Sequence, residues 1–283
     1  MAENKRPDPL KILGICRFSY PALGGFRRMH DSVAEREAYL YQSRRMELRF
    51  RHFETLTLPS IKAQQDPRFT FLILVGESLP KSHMERLRDV TADIPQVRIV
   101  AKPPMRHRLA AQQALKEELG DDAIESIQWR LDDDDAVAVS FTRSIRWFAK
   151  HTAPMGKSWK NIAFEYNTGY SVTLSANGIV AEEVQSPFWA CGLAVLFRPG
   201  DPRTVMNYPH HKLHTRMPTF INPMPAMYLR SKHDDNDSAE AYKTGRLSPL
   251  TEDQRKLFRD RFNVDEDRVK HAFSAPLPLL DKV

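Results

Sequence analysis

Cysteine is nearly absent: the 283 residues contain two, Cys16 and Cys191. Both lie inside apolar segments, "ILGIC" and "FWACGLAVLF", which excludes a disulfide framework and reads as small core residues in a reducing compartment. No apolar run approaches the ~20 residues that a membrane-spanning helix needs, so no transmembrane segment is expected. The opening stretch "MAENKRPDP" lacks the apolar core of a secretory signal. Residues 1–9 are therefore expected to form a disordered start, and the protein to be cytoplasmic. Internal repeats and low-complexity tracts are missing too, which excludes solenoid and fibrous architectures.

What is present is an ordinary globular balance, with 41% hydrophobic and 28% charged residues. The length suits one large α/β domain, or such a domain with a C-terminal extension. A formal net charge of +6 and a pI near 9.3 favour anionic partners such as phosphates and nucleotides. The arginines of "RRMELRFRHF" invite a nucleic-acid reading. They are mixed with glutamates in a helical segment, however, so a solvated helix face is the expectation and nucleic acid is not an expected partner.

Along the first half, apolar runs and charged helical runs alternate. "LKILGICRF" reads as a buried strand running into the turn residues "SYPALGG". Residues 31–54 read as one long helix, and "FTFLILVGESLP" as the clearest buried strand. A short helix in "KSHMERLRDVTADI" precedes the strand "QVRIVAKPP", which two prolines end. "RHRLAAQQALKEELG" is a helix closed by Gly120, and "IESIQWRL" is a fourth strand. A further helix, "SFTRSIRWFAKHT", follows. This alternation predicts a three-layer α/β fold with a mostly parallel sheet. The second half predicts a hairpin turning at Asn177–Gly178, long loops, and a helix in "LTEDQRKLFRDRFNV" capped by Thr251.

The fourth strand ends in "WRLDDDDAVA", four consecutive aspartates from Asp132 to Asp135. In open α/β sheets, ligands bind beyond the carboxyl ends of the strands. Strand alternation places Asp132 and Asp134 on one side and Asp133 on the other, with Asp135 directed to the next helix. Two carboxylates so spaced suit a hard divalent cation such as Mn²⁺ or Mg²⁺ that also grips phosphate oxygens. Four in a row exceeds what capping the following helix requires.

The strand ending "LDDDDAV" resembles the Asp-x-Asp motif of GT-A-fold glycosyltransferases. "HFETLTLPSIKAQQDPRFTFLILVGESLP" is similar to an early part of that fold, where a helix carrying "L-x-S-x-x-x-Q" precedes the second strand. With "ICRFSYP" near the start and "YLRSKHDDNDS" near the end, residues 10–240 most resemble the bacterial family known as "putative rhamnosyltransferase". The resemblance implies a GT-A-like (Rossmann-like) domain over 10–245, followed by a helical extension over 246–283. It also implies a nucleotide-sugar donor, with dTDP-rhamnose as the specific candidate, and transfer to a hydroxyl of a carbohydrate, lipid-linked or protein acceptor. In that frame Asp132 lies against the ribose or sugar, Asp134 ligates the cation, and Asp135 lies towards the following helix or the donor sugar. The usually variable middle position is itself acidic here, which sets Asp133 apart from the family pattern.

Further site residues follow from the resemblance and from chemistry. A late histidine, His233, completes the metal or diphosphate site, with Asn236 beside it. Arg17, at the end of the first strand, offers a planar donor fork to phosphate or a base carbonyl. Arg106 starts a helix against its dipole, and phosphate contact supplies a reason for it to be there. Trp189 is a candidate sugar-stacking wall. The acceptor hydroxyl needs a general base, for which Glu182, Glu183, Asp234 and Asp235 are available; Glu183 and Asp235 are preferred. The cluster "HHKLH", His210 to His214, follows Pro209 and has no adjacent acid, so it reads as a substrate-contacting loop or plain surface. Two other classes remain open: a two-metal phosphohydrolase or nuclease, and a non-catalytic nucleotide-binding protein.

Overall fold

The computed structural model describes residues 10–24, 30–120, 124–154, 158–233 and 247–279. Strand β1 (Lys11–Arg17) alternates strictly: Ile12 and Cys16 face one side with Gly14, and Leu13 and Ile15 face the other. Each side has its own core, because a central strand in a three-layer fold is covered twice. After α1 (Val33–Leu40), the first face is covered by α2 (Ser43–His52), a π-helical turn (Phe53–Thr57) and α3 (Leu58–Lys62), through buried Phe50, Phe53, Leu56 and Ile61. The single helix expected over 31–54 is thus broken at Tyr41–Gln42 and then runs on to Lys62. The wider π turn lies just before Pro59, whose ring nitrogen has no hydrogen to donate.

Next come β2 (Thr70–Gly76), α4 (Lys81–Thr91), β3 (Val97–Lys102), α5 (His107–Leu119) and β4 (Ser126–Asp132). Strands β3, β2, β1 and β4 lie side by side in that order and are all parallel. The chain therefore steps outward from β1 to β3 and returns to the other flank of β1. The return helix, α5, covers the opposite face, packing Ala110, Ala111, Ala114 and Leu115 on Leu13, Ile15, Leu72 and Leu74. The reversal makes a crevice at the carboxyl ends of β1 and β4, where Arg17 is the direct register partner of Asp132.

Strand β5 (Asp135–Val137) follows the acidic turn at once, and α6 (Phe141–Thr152) begins only afterwards. Strands β6 (Asn161–Tyr166), β9 (Leu193–Phe197) and β10 (Thr219–Asn222) extend the main sheet, with β9 antiparallel to both β4 and β6. The expected hairpin is β7 (Thr168–Ser175) with β8 (Gly178–Gln185), and Gly178 takes φ +109° at the turn. These two join β5, β11 (Tyr228–Ser231) and β12 (Ser248–Pro249) in a second sheet. Thr251 caps α7 (Glu252–Phe262) in a reciprocal capping box, as expected, and a further helix, α8 (Glu266–Ser274), follows it. Phe258, Phe262 and Val269 of these helices share the core of Val172 and Ile179 in the second sheet. The main sheet is the mostly parallel α/β arrangement expected from the sequence.

Candidate functional site

The acidic run forms the corner between the two sheets. Asp132 ends β4, Asp133 and Asp134 make the turn, and Asp135 opens β5. The turn's backbone is held from outside by α3 and its flanks. Thr57 Oγ1 donates to the Asp135 carbonyl at 2.8 Å, and Ser60 Oγ lies 3.4 Å from the Val137 N–H. Gln64 spans the next residues: its Nε2 donates to the Ala138 carbonyl at 2.9 Å, and its Oε1 accepts from the Thr142 N–H at 3.0 Å. The residues Ser60 and Gln64 of "LPSIKAQ" thus act on the aspartate corner through the backbone, which explains why the helix and the acidic run occur together.

One oxygen from each of Asp132, Asp134 and Asp135 lies within 4.8 Å of the others. Asp132 is exposed, and its side chain makes no hydrogen bond or ion pair among the described residues. Asp135 is buried, and its Oδ1 accepts from the Ser231 N–H at 3.0 Å. Asp134 is buried, and its Oδ2 accepts from His233 Nε2 at 2.7 Å and from Arg49 Nη1 at 3.0 Å. Asp133 does not face away as expected. Strand alternation ends at Asp132, and the turn brings Asp133 to the same Arg49 Nη1 at 3.1 Å, with its Oδ2 buried and unpartnered.

Burial and neighbouring charge divide these carboxylates. Burial pushes Asp133 up to about 6, with the charges of Asp134 and Asp132 adding to the effect and Arg49 opposing it. Asp135 is raised well above the ordinary range by burial and by the charges of Asp134 and Asp132. Burial alone would raise Asp134 too, but the His233 hydrogen bond and Arg49 outweigh it and keep it ionised. All the donors are oxygen, they converge from one corner, and two of them carry spare lone pairs. Such a set fits a hard divalent cation. Among the described residues no other group of three His, Cys, Asp or Glu side chains gathers in this way, so a second metal position of the kind two-metal hydrolysis uses has no counterpart there.

Arginines surround the corner. Arg17, Arg36, Arg45, Arg49 and Arg230 line a small cavity of about 60 Å³ together with the four aspartates. Arg45, Arg49 and Arg51 of α2 are 4–8% exposed, so the expected solvated face is instead turned inward. Their signal in the sequence was the "R-x-x-x-R" spacing of Arg45 and Arg49, which puts both on one helix face; only the buried partner reveals its meaning. Arg45 Nη1 donates to Ser19 Oγ at 3.1 Å and to the Leu40 carbonyl. Ser19 holds a left-handed backbone, φ +44°, just past β1.

The remaining expected residues divide. Arg17 and Asp132 line both this cavity and a second one of about 200 Å³ on the α5 face. His233 touches Asp134, while its ring lies 4.4 Å from that of buried His52. Trp189 is 5% exposed and lies beneath the Arg230 guanidinium at 4.4 Å, so it is no open stacking wall. Arg106 is exposed at the start of α5 and lines neither cavity; His107 and Ala111 line the second one instead. Glu183 is exposed on β8, lines neither cavity, and its Oε2 accepts from Tyr170 Oη at 3.4 Å. Asp234, Asp235 and Asn236 lie outside the described residues.

No helix among the described residues is long and apolar enough to cross a membrane. The chain is similar to solved structures of S. aureus TarS. It shares 10% identity and a TM-score of 0.40 with TarS 1-349, over 78% of this chain and 60% of that one. With the TarS 1-349 complex with UDP-GlcNAc it shares 11% identity and a TM-score of 0.42, over 88% and 64%. It thus spans less than two thirds of either. No curated protein matches it. Residues 11–245 match a family model described as "putative rhamnosyl transferase", and the chain belongs to that family.

Proposed function

We propose that the protein transfers a sugar from a nucleoside-diphosphate donor to an acceptor hydroxyl, with Mn²⁺ or Mg²⁺ held by Asp132, Asp134 and Asp135. The observation that carries this reading is the convergence of these three carboxylates at the strand-end crevice of a chain in this family. When bound, the cation supplies charge neutralisation to the diphosphate leaving group. The chain's own residues do the rest. Arg49 and His233 hold Asp134 ionised and fixed, so its lone pairs are oriented before a ligand arrives. Arg17, at the mouth of both cavities, is placed to take a phosphate oxygen through its donor fork. Arg36 and Arg45 add positive charge to the first cavity and draw an anionic donor towards it.

Rhamnose as the transferred sugar, and dTDP-rhamnose as the donor, rest on the family description alone. The acceptor hydroxyl belongs to a carbohydrate, a lipid-linked sugar or a protein. Thermal unfolding with Mn²⁺ and a panel of nucleotide sugars tests the reading. Cation and nucleoside diphosphate together should raise the midpoint more than either alone, since only ligands bound to the native state stabilise it. Asp134→Asn, compared with its own ligand-free midpoint, should lose that joint stabilisation. Sugar transfer by Asp134→Asn at the wild-type rate would overturn the assignment.

A further inference from the structure

The second cavity, on the α5 face, contains a histidine whose setting matches that of a proton acceptor. The segment carrying it is anchored to β4. The buried Gln128 side chain accepts from the Val205 N–H at 3.0 Å, and Thr204 and Asn207 close a capping box around the short 3₁₀ turn Val205–Asn207. Pro209 then starts a second 3₁₀ turn, His210–Thr215, pinned by buried Leu213. His210 thereby becomes part of the cavity wall, with Arg130, Arg17 and Asp132 also lining it.

The ring is held by one nitrogen only. His210 Nδ1 lies 2.5 Å from the Phe188 carbonyl, which can only accept, so Nδ1 carries the hydrogen and Nε2 is left as the acceptor. Nε2 makes no hydrogen bond among the described residues. Phe188 itself has φ +59°, a left-handed backbone that a phenylalanine adopts only when its surroundings impose it. Its N–H is held by Glu165 of β6, 1% exposed, whose Oε1 accepts from it. A buried carboxylate thus holds the N–H of Phe188, and the carbonyl of the same residue fixes the tautomer of His210. Burial and the nearby Arg130 lower the imidazole to about 4, so it is neutral in the free site and its Nε2 lone pair is open. Negative charge close to an imidazole favours its protonated form, so a bound diphosphate would work against this lowering.

Resting on the glycosyl-transfer reading above, we propose that His210 Nε2 accepts the proton of the acceptor hydroxyl, and that Glu165 positions it through Phe188. With the diphosphate against Arg17, the sugar occupies the 200 Å³ cavity. The acceptor oxygen forms its bond to the anomeric carbon while the bond to the phosphate oxygen breaks. That electron pair leaves with the nucleoside diphosphate, and the hydroxyl proton passes to Nε2. Direct displacement of this kind inverts the anomeric centre.

The test uses the full chain, Mn²⁺ and whichever member of a nucleotide-sugar panel the wild type turns over, with nucleoside-diphosphate release as the readout. Donor affinity is measured in parallel by calorimetry. His210→Asn retains an N–H for the Phe188 carbonyl but removes the acceptor nitrogen. Its turnover should fall by about 100-fold or more, the usual range for general base catalysis, with donor affinity within threefold of wild type. Glu165→Gln should lower turnover by a smaller factor, again with donor affinity kept. If His210→Asn does not fold, His210→Gln serves for the same pair of measurements. Turnover within threefold of wild type, or a loss of donor affinity that matches the loss of turnover, overturns the proposal. A wild type that binds and turns over no nucleotide sugar overturns the glycosyl-transfer reading instead.

Discussion

Thr57 Oγ1 donates to the carbonyl oxygen of Asp135 at 2.8 Å, joining the end of the π-helical turn to the corner where the carboxylates converge. Both groups are buried, so the bond has no water to replace it. Thr57→Val keeps the shape and removes the donor. It should lower stability by about 1–3 kcal/mol, the cost of an unmade bond at a buried carbonyl. Because Asp135 then loses its backbone restraint, Mn²⁺ affinity by calorimetry should fall more than for a stability-matched change elsewhere in the core.

Arg49 is the cation that Asp133 and Asp134 share, at 3.1 and 3.0 Å. Removing it takes the paired cation from Asp133 and leaves buried Asp134 with His233. Arg49→Met should cost about 3–5 kcal/mol, the range for breaking a buried ion pair from one side. Added Mn²⁺ should recover part of this loss, since a cation bound only by the native state restores the missing charge. Chemical denaturation with and without Mn²⁺ measures both effects.

Gly14 lies at the centre of β1, under the stacked rings of Phe71 and Trp129, whose centroids are 5.4 Å apart. A Cβ there would come within 2.6 Å of both rings. Gly14→Ala should therefore destabilise by about 1–3 kcal/mol or more through overpacking. The urea midpoint should fall with little change in slope.

Asp66 joins α6 to the segment before β2, bonded by Arg146 Nε at 2.7 Å and Arg68 Nη2 at 2.8 Å. Burial pushes its carboxyl up, but the bonds from Arg68 and then Arg146 outweigh this and bring it down to about 2. A folded value below the unfolded one, about 4, means the stabilisation is complete above pH 4 and is lost as pH falls through 2. Asp66→Asn should thus be less stable than wild type at pH 7, and the difference should shrink across pH 4 to 2. A gap that stays constant over that range would remove Asp66 as its source.

The alternation of β1, the buried run of β2 and the polar–apolar pattern of α4 and α5 made the parallel half of the fold legible, because hydrophobic period is a local property of the chain. The Asn177–Gly178 turn and the Thr251 cap were legible for the same reason. So was the place of the aspartates, since a strand end is visible in sequence. Their directions were not. Alternation predicts Asp133 turned away, but the chain switches sheets at that residue, and a turn does not alternate.

The sequence by itself determined an α/β chain with an acidic strand end and a family resemblance that residues 11–245 bear out. Only the tertiary structure decided which charges meet. It turned Arg45 and Arg49 from a solvated face into the lining of the aspartate corner, left Glu183 outside both cavities, and brought His210 to the wall of the second one. Whether a charged side chain is solvent-facing or part of a site depends on what packs against it, and those partners lie far away in sequence: Arg49 from Asp134, Glu165 from Phe188, Asp135 from Ser231. Periodicity carries no record of them.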